Sequence, residues 1–346
     1  MLLKELTELN GVSGNENEVR AFIKKEAEKY ADEIRVDTMG NLICFKKGKS
    51  SQYKVMLSAH MDEVGFMVTG YGEGGVLKFA TVGGIDDRIL LGKRVLVGEK
   101  KIPGVIGSKP IHLQEIEERG SNIKLRKMYV DIGAEKKDEA EKLAPIGEHI
   151  AFHSLYTELG NDMVKAKALD DRVGCAILLD ALKESYAFDL YACFTVQEEV
   201  GLRGAEVAAF SISPDLAVVV EGTTCSDVPG VEKYEYSTVL GEGAALTIMD
   251  RTSYSNKKLV EYIYNTAKNN NIPVQYKQTT TGGNDAGRIQ LTKEGVVVAS
   301  ISVPCRYIHS PVSVMSKKDF ESCQKLVKAL LKEFDSDQKL IGGFKG

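Results

Sequence analysis

The sequence predicts an α/β protein whose mostly parallel, mixed sheet is sandwiched by helices, with a small β-barrel-like domain inserted into it. In residues 1–62, and again in 154–346, apolar strand-like runs alternate with helical spacing, which is typical of a parallel sheet covered on both faces. Between them, in residues 63–153, short β-like runs alternate with Gly-rich turns. We therefore predict a discontinuous α/β domain, 1–62 with 154–346, interrupted by an all-β domain.

The first part of the chain supplies one helix and three strands. Residues 16–30 have helical spacing and follow Ser13 and Asn15, both good N-cap residues. The turn around Gly40 separates two short strands, and a largely apolar run forms the third. The predicted strands are 33–37, 42–45 and 53–58.

The inserted region and the remainder of the chain differ in rhythm. In the inserted region we predict strands at 75–82, 94–97, 105–106 and 128–132, with one helix at 136–143. Further on, strands are predicted at 190–196, 216–220 and 296–303, and helices at 169–183, 202–209, 256–269 and 317–333. The tail after Phe334 is predicted to fray.

Composition excludes several classes of protein. The formal net charge is −4 and the basic residues are scattered, so we expect no nucleic-acid partner. No apolar run is long enough to span a bilayer, and Met1 leads into polar, helix-like sequence, so we expect neither a signal peptide nor a membrane association. The six cysteines are dispersed without a CxxC pair, as reduced packing residues are. We expect a cytoplasmic globular protein.

Acidic residues and two histidines recur where strands of the α/β domain end. Because ligands bind beyond the carboxyl ends of strands in such sheets, we expect these side chains to converge on one site. A His followed by a carboxylate two residues later is also a common metal ligand with its orienting partner. The candidate residues are His60, Asp62, Asp170, Asp171, Glu198, Glu199, Glu221 and His309.

Each candidate also has a purely structural explanation. Asp170 or Asp171 could cap the following helix, and Glu198 with Glu199 could form a solvated turn. Glu221 could pair with a basic side chain, and His309 could cap a turn. These explanations would all have to hold at the same sheet edge, so we favour a shared site.

The types of ligand indicate the chemistry. Two histidines and three carboxylates, without a thiolate, suit a pair of divalent ions, zinc first and cobalt or manganese as alternatives. Because Glu198 and Glu199 are adjacent, one can bind metal while the other faces a water and acts as general base. This combination indicates hydrolysis of an amide-like bond.

Five segments of the chain, in the order in which they occur, resemble the tetrahedral-type dinuclear metalloaminopeptidases. That family includes proteins labelled glutamyl aminopeptidase and others labelled cellulase or endoglucanase. The inserted region is similar to that family's inserted domain in GGIDDRILLGKRV and GSKPIHL. The resemblance spans essentially the whole chain. The five segments are SAHMDEVG, ALDDRVGCA, QEEVGLRGA, VVVEGTT and RYIHSP.

The resemblance implies a role for each candidate. His60 and Glu221 would complete one metal site, Glu199 and His309 the other, and Asp170 would bridge them. Glu198 would be the general base and Asp62 the partner of His60. Residues 63–153 would form the dimerisation domain, and dimers would assemble into a tetrahedral dodecamer that removes N-terminal residues from peptides.

The substrate pocket is the least determined part of the resemblance. The loop that contains Gly283 and Asn284 resembles the family's pocket loop, and Arg306 is a candidate cation for an acidic substrate side chain. The chain departs from many relatives at Glu221, where they carry Asp, and at Asn284, where Thr is more usual. The preferred N-terminal residue therefore stays open.

Three alternatives remain. A related dizinc N-acyl amino acid hydrolase or carboxypeptidase shares the His-x-Asp and Glu-Glu pattern, but the Gly-rich β region argues against its usual lid. A non-catalytic assembly protein would keep the fold without the chemistry, yet no expected ligand position is vacant. A glycosidase would need two carboxylates but neither histidine, and the chain has no Trp for stacking on sugars.

Overall fold

The computed structural model describes residues 2–345, apart from the side chains of residues 117 and 118. In chain order the strands of this part are β1 Glu33–Val36, β2 Leu42–Lys46, β3 Lys54–His60, β4 Gly65–Tyr71, β5 Leu77–Val82, β6 Arg94–Val97, β7 Ile102–Ser108, β8 Met128–Asp131, β9 His149–Phe152, β10 Thr157–Leu159, β11 Met163–Ala166, β12 Asp189–Thr195, β13 Leu216–Cys225, β14 Ala244–Thr247, β15 Val274–Tyr276, β16 Val297–Arg306 and β17 Ser313–Ser316. The α-helices are α1 Leu2–Glu8, α2 Asn17–Ala27, α3 Ile116–Arg119, α4 Lys137–Leu143, α5 Leu169–Ala181, α6 Arg203–Ile212, α7 Lys257–Asn269, α8 Ala286–Ile289, α9 Lys317–Ser336 and α10 Lys339–Gly343.

A mixed sheet of eleven strands forms the centre of the molecule. Its middle strands, in the order β12-β3-β13-β16, are mutually parallel, while β2, β14 and β17 pair with them antiparallel. Successive side chains of β3 enter different cores: Val55 and Leu57 pack in a cluster with α1, α2, α5, α7 and α9, and Met56 packs with α6 and α8. The predicted α/β sheet between two helical layers is confirmed.

The inserted region closes into a six-stranded antiparallel barrel with the order β4-β5-β8-β7-β6-β9. Phe66 anchors its core, with the rings of Phe79 and Phe152 packed edge-on at 5.1 Å. The predicted β-barrel is confirmed and its strands lie between Gly65 and Phe152, while the domain bounds 1–62, 63–153 and 154–346 stay a prediction.

The C-terminal tail differs from the sequence prediction. Helix α9 ends at Ser336, and the short helix α10 follows it instead of a frayed end. Ile341 and Phe344 are buried, and the ring of Phe344 lies 5.5 Å from Tyr262 and 6.2 Å from Phe334. Ile341 and Phe344 are too few and too close together in sequence to produce a helical periodicity. From the sequence alone, this segment could therefore not be distinguished from a polar tail.

Two further properties of the chain bear on function. No helix in the described part of the chain combines the length and the apolar character that crossing a membrane requires. All six cysteines are buried free thiols, as their dispersed positions predicted.

Candidate metal centre

The parallel strands bring the candidate residues to one edge of the sheet. His60 is the last residue of β3, Glu198 and Glu199 follow β12, and His309 lies three residues beyond β16. Glu221 differs from the prediction that its strand ends at Val220, because β13 continues to Cys225 and holds Glu221 within its pairing with β16. The side chain nevertheless lines the same cavity as Asp170, Glu198, Glu199 and His309.

His60 is oriented by the residue that follows it by two positions. Its Nδ1 lies 3.1 Å from the backbone carbonyl oxygen of Asp62 and 3.5 Å from the carboxylate Oδ1 of the same residue. A carbonyl oxygen only accepts, so Nδ1 carries a proton. The carboxylate Oδ1 of Asp170, 3.1 Å from Nε2, also only accepts, so this approach requires either a second ring proton or a cation between the two atoms. The ring is buried, with 4% of its side chain exposed.

The carboxylate of Asp62 has a second task that the sequence did not predict. It accepts hydrogen bonds from the backbone N–H groups of Glu198 at 3.0 Å and Glu199 at 3.1 Å. The hydroxyl of Ser13 also donates to it at 2.6 Å. Asp62 therefore fixes the turn that carries both glutamates as well as contacting His60.

His309 mirrors His60 on the other side of Asp170. Its Nδ1 lies 3.0 Å from the backbone carbonyl oxygen of Gly84, which belongs to the barrel. Its Nε2 lies 3.2 Å from Glu199 and 3.9 Å from Oδ2 of Asp170. The two oxygens of Asp170 thus face two histidine nitrogens, as in a bridging carboxylate.

The potential ligand atoms form two overlapping groups. One atom each from His60, Glu198 and Glu199 lie within 4.8 Å of one another, and so do atoms from Asp170, Glu199 and His309. Among the described residues, Glu221 belongs to neither group. Its Oε1 instead accepts from the Asn284 amide at 2.8 Å and from the Ser302 hydroxyl at 3.2 Å.

Burial and mutual repulsion perturb the carboxylates of this cluster. Burial raises the pKa of Glu198 well above its usual range, and the adjacent Glu199 raises it further. Burial, with Asp170 as a further cause, raises the pKa of Glu199 to about 7 and that of Glu221 to about 8. Cations between these side chains would stabilise their ionised forms. Imidazole and carboxylate donors at such separations fit two divalent ions, so the residues present suit the implied metals.

A cavity of about 300 Å³ adjoins this cluster, and part of the predicted substrate pocket lines it. Gly283 lies in its wall beside Thr252 and Thr281. Asn284 does not, because its side chain is buried and holds Glu221. The Arg306 guanidinium is also absent from the wall, since it donates to the carboxylate of Asp227 at 2.6 and 2.7 Å.

The cation of the cavity wall is Lys277, which was not among the predicted pocket residues. Its Nζ donates to the carbonyl oxygen of Thr281 at 3.0 Å, and its charge acts to lower the pKa of Glu221. It lies just beyond β15, a three-residue strand that pairs with β14. A single lysine after so short a strand carries no spacing signal. The contact of Gly84 with His309 was not predicted either, since every residue has a backbone carbonyl and the sequence does not show which of them reaches the site.

Two family models and several known proteins match the chain. The family model described as M42 glutamyl aminopeptidase matches residues 40–326, and a model described as AMPT matches residues 1–22. The lysyl aminopeptidase of Pyrococcus furiosus is 34% identical over 340 residues, 96% of each chain.

Solved structures are similar over nearly the whole chain. A TET aminopeptidase from a marine sediment archaeon of the Thaumarchaeota is 38% identical with a TM-score of 0.95, covering 99% of this chain and 98% of that one. The TET1 peptidase of Pyrococcus horikoshii, which can assemble into a tetrahedron or a large octahedral shell, is 34% identical with a TM-score of 0.85, covering 95% and 98%.

Proposed function

The chain belongs to the M42 family of aminopeptidases, and on that premise we propose that it releases N-terminal residues from peptides with the help of two divalent metal ions. The observation that carries the proposal is the placement of Asp170 between the Nε2 atoms of His60 and His309. His60 and Glu221 would hold one ion, Glu199 and His309 the other, and Asp170 would bridge them. Zinc fits this donor set best, with cobalt and manganese as alternatives.

The ions, when bound, would polarise the scissile carbonyl and lower the pKa of a water molecule towards neutrality. Glu198 would act as general base; 10% of its side chain is exposed and its carboxylate lies 4.0 Å from His60. It takes the proton of the attacking water and returns it to the leaving amine. Asp62 holds Glu198 in place through the backbone N–H.

The cavity next to the cluster suits the side chain of the substrate's first residue. Among its described lining residues Lys277 is the one lysine or arginine, so we propose that acidic first residues are preferred over basic ones. The carboxylates of the cluster would attract the free α-amino group. The names of relatives differ on this point, since the family model is described as glutamyl and a relative is named lysyl.

Assembly and location complete the proposal. The chain forms a homo-oligomer, as its TET relatives do, and we propose a tetrahedral dodecamer built from six dimers, each paired through residues 63–153. Twelve subunits of 37.9 kDa would give a particle of about 455 kDa, which light scattering would distinguish from a dimer or a larger shell. The six free thiols favour a reducing, cytoplasmic environment.

The test is removal and return of the metal. The chelator-stripped chain is supplied singly with Zn²⁺, Co²⁺ or Mn²⁺ and assayed on chromogenic amides of acidic, neutral and basic amino acids. Metal-restored cleavage of free-amine substrates, absent on their N-acetylated forms, is the expected result. If the chain binds two metals per subunit without such cleavage, the N-acyl hydrolase is favoured instead. If it binds none of the three metals, the proposal is contradicted.

A further inference from the structure

Hydrogen bonds hold the backbone of the loop that presents His309, whereas its imidazole ring is partly exposed. Tyr307 and His309 have φ angles of 59° and 58°, in the left-handed region. The hydroxyls of Ser310 and Ser313 donate to the Tyr307 carbonyl oxygen at 2.6 and 3.2 Å and hold this conformation. The His309 side chain is 38% exposed, and outside the carboxylate cluster its one hydrogen bond among the described residues goes to Gly84.

This hydrogen bond crosses between the two domains. Gly84 lies just beyond β5, in a loop of residues 83–86 that we call the barrel loop. His60 obtains its orienting carbonyl from Asp62, within its own segment, whereas His309 obtains it from the inserted barrel. The two histidines therefore have the same chemistry and different dependence on the barrel.

A second contact of the barrel loop reaches the same side of the cluster. Gly83 has a φ of +83°, and a Cβ placed on it would lie 2.8 Å from Val64 and 3.4 Å from the Cβ of Glu199. The positive φ and the Val64 side chain thus require glycine at position 83, where the loop passes beside Glu199. The barrel loop therefore bonds to His309 and passes beside Glu199, the two residues proposed to hold the second ion.

We propose that the barrel loop is a positioning element for one of the two metal ions, with the Gly84 carbonyl fixing the tautomer and direction of His309. This inference rests on the proposed metal centre and deepens it. A carbonyl acceptor on Nδ1 leaves Nε2 free for the ion and restricts rotation of the ring. Packing of the barrel loop against the metal centre and binding of this ion are therefore coupled, so that each favours the other.

The direct test replaces His309 with Nδ1-methylhistidine, which keeps the Nε2 ligand atom and removes the N–H donor. Co²⁺ is titrated into the chelator-stripped full chain, and its visible absorption reports each site. We expect two Co²⁺ per wild-type subunit, and in the variant a second ion bound about 10- to 100-fold more weakly, with the first unchanged. The matched control is Gly84→Ala, whose Cβ would lie an ordinary 3.6 Å from Nδ1 and whose carbonyl remains. It should change neither affinity more than about threefold.

A double-mutant cycle separates the carbonyl from the contact with Glu199. Gly83→Ala should displace the loop and weaken the second ion by itself. If the Gly84 carbonyl carries the effect, adding Nδ1-methylhistidine at position 309 causes little further loss. If the two changes reduce the affinity for the second ion by factors that multiply, the effect of Gly83→Ala acts through Glu199, and the inference is overturned.

Other outcomes are equally decisive. Two tightly bound Co²⁺ ions in the Nδ1-methylhistidine variant would overturn the inference and leave the proposed function intact. A wild-type chain that binds fewer than two would overturn the proposed function, and the inference with it. Because position 309 is partly exposed, we expect its substitution to leave the fold intact, and thermal unfolding of each variant would test this.

Discussion

Substitution of Lys167 with Met should destabilise the protein strongly although the side chain lies outside the proposed catalytic set. Its Nζ contacts Glu63 at 2.6 Å and the carbonyl oxygen of Leu9 at 2.5 Å, and both charged side chains are 3% exposed. Methionine has about the same length but no charge. The substitution would leave the Glu63 carboxylate buried without its closest partner.

The size of the effect follows from what remains around Glu63. Removing one partner of a buried ion pair usually costs about 3–5 kcal/mol. Glu63 keeps the N–H of Gly11 at 3.0 Å and the Arg172 guanidinium at 3.6 Å, so we expect the lower end, about 3 kcal/mol. With an unfolding entropy of about 2.1 cal/mol/K for each of the 346 residues, this corresponds to a fall in Tm of about 4 °C.

Scanning calorimetry of the metal-loaded chain at fixed protein concentration would measure the shift. Lys183→Met is the matched control, because Lys183 pairs with Asp180 at the surface and is 46% exposed. We expect that control to lose at most about 1 °C. Adding Glu63→Gln to Lys167→Met should recover part of the loss. A fall no larger than the control's, or strictly additive losses, would refute the reasoning.

Three further substitutions test the site. Glu198→Gln should lower kcat by about 10²- to 10⁴-fold with both metals retained by elemental analysis, and loss of a metal would make Glu198 a ligand. Lys277→Met should lower kcat/KM for glutamyl amides relative to leucyl amides by about tenfold, and an unchanged ratio would remove Lys277 from the substrate pocket. Asn284→Ala should lower the affinity for one metal ion about tenfold, because it releases the Glu221 carboxylate. Ser300→Ala loses a contact only with Asn284 and should leave that affinity unchanged. Equal losses in the two variants would argue that Asn284 does not position Glu221.

The fold and the cluster could be predicted because their information is local. Apolar runs mark the strands, and a parallel sheet sends the carboxyl ends of its strands to one edge. The positions of His60, Asp170, Glu199 and His309 along the chain were therefore enough to expect them together. No knowledge of loop geometry was needed.

The remaining parts depend on contacts that no local pattern encodes. Arg306 had the right charge for a substrate pocket, but Asp227, 79 residues earlier in the chain, binds it. Asn284 had the right loop, but the direction of its side chain was set by the buried Glu221. Lys277 and Gly84 reach the site through the path of a loop, which follows from tertiary packing.

The insertion of the barrel also sets an order on the folding of the newly made chain. Strand β3 carries His60, but its sheet neighbours β12 and β13 begin at Asp189 and Leu216, more than a hundred residues later. All barrel pairings, in contrast, lie between Gly65 and Phe152. Contacts between residues close in sequence form faster than contacts between residues far apart in sequence. We therefore expect the barrel to form on the ribosome before β12 and β13 have been synthesised and can pair with β3. The metal ligands would then assemble last, against a barrel that is already in place.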